Sequence, residues 1–219
     1  MKIMKTNRRA IFLGSFNPPH QGHVNCIKSV IESNIIDQLN IDKIHVIPCW
    51  QNPNKSKSID FYDRYKMCKR EFASLSDNCL VDDIEASLKP TYTYELIDYF
   101  KKNKDQIINS DFWWIVTEET IEELIDNKWK ESERLLKENK FIILYSKERQ
   151  CVSSKVNNYF NEIDKLTDNY QCIPLIDQMD AHSTQIRENF WVNTKYDNCI
   201  TKDTKEYIIE HNLYKNINV

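Results

Sequence analysis

GSFNPPHQGH, residues 14–23, contains both glycines of a 219-residue chain. It follows a short apolar run, Ala10 to Leu13, and precedes a stretch whose apolar positions 24, 27, 30 and 31 recur at helical spacing. The order is strand, turn, helix. Gly14 suits a tight exit from the strand because it carries no Cβ penalty at unusual φ. Pro18 and Pro19 stiffen the connection. Gly22 opens the helix, where a missing side chain lets a ligand approach the backbone. His20 and His23, three residues apart, share one side of the first helical turn. That helix end offers unpaired N–H groups and a partial positive charge. Imidazoles donate hydrogen bonds and can be cationic near neutral pH, so the stretch can form an anion site without a Walker lysine. Histidines that only cap a helix would read the same way.

The scarcity of glycine also excludes. With Gly14 and Gly22 alone, neither a G-x-G-x-x-G fingerprint nor a Walker A loop exists anywhere in the chain. A Rossmann dehydrogenase and a P-loop kinase are therefore not expected.

Working outward, the apolar runs KIHVIPCW (43–50), CLVDDIE (79–85), DFWWIV (111–116), KFIILYS (140–146) and YQCIPLI (170–176) read as further strands. Helical spacing covers 60–75, the latter part of 89–103, 118–139, 183–191 and a terminal helix from 201 to about 212. Residues 147–170 are polar and weakly periodic. Strands alternating with helices predict an α/β fold, a doubly wound, mostly parallel Rossmann-like sheet. One domain spanning 1–219 is expected, with 182–219 as a small C-terminal helical region. In such a sheet ligands bind beyond the carboxyl ends of the strands, where strand order reverses. The 14–23 stretch lies at that edge. Trp113 and Trp114 sit within a strand, and at least one of them is expected in the core.

Composition agrees with a soluble globular protein: 41% hydrophobic, 29% charged, net charge −3. Mixed charge gives no reason to expect nucleic acid or an anionic membrane as a partner. No apolar run follows the basic start, and none approaches 18 residues, so neither a secretory leader nor an ordinary membrane helix is expected. Seven scattered cysteines without a C-x-x-C pair argue against zinc and dithiol chemistry, and for a reducing, cytoplasmic setting. Oligomeric state is left open, homo-oligomers included.

GSFNPPHQGH resembles the G-x-F-x-P-x-H-x-G-H signature of the nucleotidylyltransferase superfamily. Later stretches resemble one branch of it, the bacterial-type nicotinate mononucleotide adenylyltransferases. NPNK (52–55) and DRYKM (63–67) resemble that branch's lysine loop and arginine helix. YTYELIDYF (92–100) is similar to its Y-T-x-[DE] segment. FWWIVTEETIEELIDNKW (112–129) resembles its strand, acidic turn and Lys-Trp. HSTQIR (182–187) and KEYIIEHNLY (205–214) resemble its S-S-T-x-I-R motif and closing tyrosine helix.

The resemblance implies AMP transfer from ATP to nicotinic acid mononucleotide, giving the deamido dinucleotide and pyrophosphate, with Mg²⁺ required. Nicotinamide mononucleotide is a second acceptor to consider. A phosphopantetheine adenylyltransferase and an inactive nucleotide sensor of the same fold are alternatives. By the same resemblance, His20, His23 and Arg187 act on the triphosphate. Gly14, Ser15, Phe16, Gly22, His182, Ser183, Thr184 and Ile186 complete the ATP site. Ser15, Phe16, Lys55, Arg64, Tyr92, Thr93, Thr117, Glu119 and Trp129 are expected to hold the mononucleotide. Trp129 would stack on the pyridine and Thr93 would meet its carboxylate. Lys55 and Arg64 would bind phosphate, and Glu119 would reach ribose hydroxyls. His182 replaces the first serine of its motif. A solvated lysine, a surface arginine and a plain N-cap are the structural alternatives for Lys55, Arg64 and the 183–187 segment.

Overall fold

The computed structural model describes residues 8–51, 58–72, 74–103, 111–149, 151–163, 169–177 and 182–215. In chain order these form β1 (Arg8–Gly14), α1 (Gln21–Glu32), α2 (Ile35–Leu39), β2 (Ile41–Pro48), α3 (Phe61–Phe72), β3 (Cys79–Val81), α4 (Ile84–Leu88) and α5 (Thr93–Lys102). There follow β4 (Phe112–Thr117), α6 (Glu118–Ile125), α7 (Ser132–Glu138), β5 (Lys140–Tyr145), α8 (Ser154–Ile163), β6 (Tyr170–Pro174), α9 (Ser183–Asn189) and α10 (Lys202–Glu210). The strands make one sheet in the order β3-β2-β1-β4-β5-β6, and each neighbouring pair is parallel. This is the doubly wound α/β fold. Strand order reverses beside β1, between β1 and β4, which is where such sheets bind ligands.

Period-two alternation divides the strand side chains between two cores. Ala10, Phe12, Val46, Trp113, Ile115, Ile142 and Leu144 meet Val24, Ile27, Cys68 and Phe72 of α1 and α3. Ile11, Ile47, Phe112, Trp114, Val116, Phe141 and Ile143 face the other way, onto Leu96, Phe100, Ile121, Leu135 and Phe160. Both Trp113 and Trp114 are thus core residues, one on each face. A third, smaller core joins α3 to the C-terminal helices through Met67, Ile186, Ile200, Tyr207 and Ile208. There the buried Glu71 carboxylate accepts from the hydroxyls of Thr201 (2.8 Å) and Thr204 (2.7 Å) and from the Thr201 N–H (3.1 Å). These bonds fasten the start of α10 to α3.

Four details differ from the sequence expectation. The helix expected over 118–139 is two, α6 and α7, because Asn127 (φ 56°) and Glu131 (φ 60°) adopt left-handed conformations between them. The weakly periodic 147–170 stretch contains α8, anchored by Val156 and Phe160 four residues apart. The expected strand at 79–85 stops at Val81, and Glu85 falls on α4. α2 and α4 have five residues each, too few for a periodicity to show. Among the described residues no helix is long and apolar enough to cross a membrane.

Candidate active site

β1 ends at Gly14, whose partner in β2 is Pro48. Gly14 is required for space. A Cβ there would lie 2.7 Å from Cζ of Phe16. The expectation of an unusual φ at this glycine is corrected: no described glycine has positive φ, and Phe16 takes it instead, at 45°. That turn folds the Phe16 ring back beneath the strand end and edge-on to His23, with centroids 5.0 Å apart. Phe16 is 1% exposed in the first core, so its expected nucleotide contact is corrected: the ring supports His23 from below, and only the backbone can meet a ligand.

His20 is the N-cap of α1. The two imidazoles are adjacent, with ring centroids 3.8 Å apart. Each Nδ1 is an acceptor: His20 Nδ1 takes the Gly22 N–H (3.1 Å), and His23 Nδ1 takes the His20 N–H (3.2 Å). A ring that accepts at Nδ1 carries its proton on Nε2. The helix start therefore dictates one tautomer for both rings, and Nε2–H is the donor each can offer. Burial, aided by the positive potential of His182, lowers the His20 pKa to about 4. Of the two properties expected of these imidazoles, hydrogen-bond donation and possible positive charge, His20 at pH 7 thus offers the first, as a neutral ring.

α9 packs over the same loop. Ser183 Oγ donates to the Pro18 carbonyl (2.9 Å), and Arg187 Nη1 donates to the Asn17 carbonyl (2.6 Å). Arg187 Nη2 reaches Thr184 Oγ1 (3.1 Å). His182 is the exposed N-cap of α9, its N–H bonded to Gln185 Oε1 (3.0 Å). The structure thus gathers His20, His23, His182, Ser183, Thr184 and Arg187 around one loop. Ile186 is different. Its side chain is 1% exposed in the third core, so it cannot meet ATP except through its backbone.

Arg64 requires a correction. It was expected to hold substrate phosphate, yet it is 1% exposed and its donors are engaged with backbone. Nη1 bonds the Ser15 carbonyl (2.8 Å), Nη2 the Trp50 carbonyl (3.0 Å) and Nε the Ile59 carbonyl (3.3 Å). It ties together the loops that follow β1 and β2. Glu85 completes the tie by accepting the Trp50 N–H, so that the backbone of Trp50 is held at both its N–H and its carbonyl. Lys55 lies outside the described residues.

Burial raises the Glu85 pKa from 4.5 to about 7, against the lowering pull of the Trp50 N–H and Arg64. A carboxyl whose folded pKa exceeds its unfolded value stabilises the fold below the unfolded pKa. That contribution is lost as pH rises through about 7. The shift corresponds to about 3 kcal/mol. Glu85→Gln keeps an acceptor and removes the titration. In urea denaturation the variant is expected to match the parent at pH 5 and exceed it by about 1–3 kcal/mol at pH 8. An equal difference at both pH values would refute the assignment.

The remaining residues expected at the mononucleotide lie at the starts of α5 and α6 and between α6 and α7. Thr117 caps α6, and Glu119 is exposed in its first turn. Glu118, beside it, is buried and accepts the Ser153 N–H ahead of α8. Tyr92 caps α5, is 38% exposed and stacks on Tyr94 with centroids 6.0 Å apart. Thr93 is the first residue of α5, whose start is held by Glu95 Oε2 accepting from Thr91 (2.7 Å) and Tyr92 (3.2 Å). Trp129 is half-buried, edge-on to Trp114 at 6.2 Å, and donates from Nε1 to Glu123 (2.8 Å). It lines a cavity of about 520 Å³ with Asn127, Glu131, Ser132, Arg134 and Lys137. None of the motif histidines lines that cavity. Tyr94 and Trp129 pack on the same core.

Sequence reasoning did not single out Asn17, Trp50, Glu85 or Tyr214. Tyr214 donates from its hydroxyl to Asn17 Oδ1 (3.0 Å). Asn17 lies inside the quoted motif, and Tyr214 closes the HNLY segment. The signal was position within a motif, without a chemistry to attach to it.

The cytidylyltransferase-like family model matches residues 11–189. A protein of Caldicellulosiruptor bescii named "Probable nicotinate-nucleotide adenylyltransferase" is 27% identical over 213 residues, covering 94% of this chain and 98% of its own length. One of Clostridium acetobutylicum with the same name is 28% identical over 218 residues, covering 94% and 98%. Among solved structures, Plasmodium falciparum nicotinic acid mononucleotide adenylyltransferase complexed with NaAD superposes with a TM-score of 0.73. It is 23% identical and covers 95% of this chain and 98% of its own. That similarity shows a shared fold.

Proposed function

Since the chain belongs to the cytidylyltransferase-like family, we propose that it is a nicotinate-nucleotide adenylyltransferase. It joins the AMP of ATP to nicotinic acid mononucleotide and releases pyrophosphate. The names of its full-length relatives support this activity. The observation that carries it is the imidazole pair at the strand-order reversal, 3.8 Å apart and set to donate from Nε2.

In this reading the mononucleotide phosphate attacks the α-phosphorus of ATP and pyrophosphate leaves, with no covalent enzyme intermediate. The protein aligns the two anions and stabilises the charge that shifts to the leaving group. His20 and His23 donate to ATP phosphate oxygens. Arg187 supplies the positive charge that the neutral His20 does not, assisted by Ser183, Thr184 and His182 at the start of α9. Gly14 and Ser15 meet the nucleotide through backbone and hydroxyl. Thr117 and Glu119 serve the mononucleotide ribose, while Tyr92, Thr93 and Trp129 hold the pyridine. Lys55 is assigned to phosphate on the resemblance of NPNK alone. Mg²⁺ accompanies ATP as its counter-ion. Among the described residues no group of three His, Cys, Asp or Glu side chains is assembled to hold a metal, and no step is assigned to a protein-bound ion.

The test is pyrophosphate release with ATP, Mg²⁺ and each of three acceptors: nicotinate mononucleotide, nicotinamide mononucleotide and phosphopantetheine. The highest kcat/KM is expected with the first. Preference for phosphopantetheine, or tight ATP binding without turnover, would overturn the proposal. Trp129→Ala is expected to raise KM for the mononucleotide roughly 3- to 10-fold, with KM for ATP little changed. An equal rise in both would remove Trp129 from the pyridine site.

A further inference from the structure

The loop that carries the histidine pair is held from the far end of the chain. Tyr214 is 6% exposed and Asn17 5% exposed, and the Tyr214 hydroxyl donates to Asn17 Oδ1 at 3.0 Å. Arg187 bonds the carbonyl of the same asparagine. Both residues sit beside strained backbone. Tyr214 itself has φ of 64°, and Phe16, the neighbour of Asn17, has φ of 45°. A non-glycine residue holds such a conformation only where its surroundings over-determine it. Phe16 touches His23 edge-on, so a displacement at Asn17 passes through one residue to the imidazole pair.

We propose that Tyr214 is a positioning residue: its hydroxyl, acting through Asn17, fixes the 15–18 loop so that His20 and His23 keep their reciprocal capping and point Nε2–H at substrate. Removing the hydroxyl takes away a buried hydrogen bond that joins the 15–18 loop to the C-terminal segment, so the loop is held less tightly. The inference rests on the transferase reading for its kinetic arm only. Its spectroscopic arm needs no substrate.

The experiment compares the parent, Tyr214→Phe, Asn17→Ala and the double variant, each shown to be folded at the assay temperature by its thermal melt. Long-range ¹H–¹⁵N spectra of histidine-labelled protein read the Nδ1 and Nε2 states of each ring. In Tyr214→Phe the His20 and His23 signals are expected to move away from the single Nε2–H tautomer, while those of His45 and His211 stay put. With ATP and nicotinate mononucleotide, kcat is expected to fall about 10-fold with KM for ATP within about twofold. The double variant is expected to match Asn17→Ala, since both remove one linkage. Unchanged His20 and His23 signals in Tyr214→Phe would overturn the proposal whether or not the parent turns over. So would additive effects in the double variant. A parent without turnover whose histidine signals do move would overturn the transferase reading and leave the clamp standing.

Discussion

His23→Ala lowers kcat at least about 100-fold in the expected assay with ATP and nicotinate mononucleotide, while the melting temperature changes little. The size is that of losing one preorganised donor aimed at developing charge. The reason lies in how the ring is held. His23 Nδ1 is engaged by the His20 N–H, so the proton on Nε2 needs no reorganisation when phosphate arrives. His23 is half-buried, and its loss removes a ring from the surface of Phe16 but opens no large cavity in the main cores. His23→Gln can offer an amide N–H in a similar place and is expected to recover part of the rate. Near-normal kcat in His23→Ala would remove this residue from the chemistry.

Arg64→Met is expected to cost about 3 kcal/mol or more, because a buried guanidinium and its hydrogen bonds to three part-buried carbonyls are lost at once. For a chain of this size that is a fall in melting temperature of roughly 6–12 °C. Activity should fall with it, since the Ser15 carbonyl belongs to the loop that precedes the histidines. The pattern discriminates between the two roles considered for Arg64. A phosphate ligand would lose affinity for substrate and leave the fold intact. A buried clamp loses stability in the absence of substrate. A variant with unchanged melting temperature and a raised KM would restore the phosphate role.

Arg64 also shows where sequence reading stops. In DRYKM it looks like an exposed helix cation. Yet the buried positions of α3 are 61, 64, 67, 68, 71 and 72, a helical stripe that includes it. The spacing was readable; the partners were not, because the backbone carbonyls of Ser15, Trp50 and Ile59 carry no sequence signature. The sheet was legible for the opposite reason. Each strand is a short apolar run ended by a breaker or a polar turn, and alternation with helices leaves few topologies. The histidine pair was legible because two residues three apart at a helix start must be neighbours. Their tautomer and the neutrality of His20 were not, since both depend on capping geometry and burial. The break between α6 and α7 escaped because Asn127 and Glu131 adopt left-handed conformations with no glycine to announce them. In a chain with two glycines, that punctuation is missing almost everywhere.

The most direct measurement of the central claim is an ATP titration of histidine-labelled protein followed by long-range ¹H–¹⁵N spectra at pH 7. The account predicts that the Nε2 resonances of His20 and His23 shift together along one saturable curve, with both Nδ1 atoms staying unprotonated. Saturation by ATP with neither Nε2 resonance moving, or with His20 becoming doubly protonated, would contradict it.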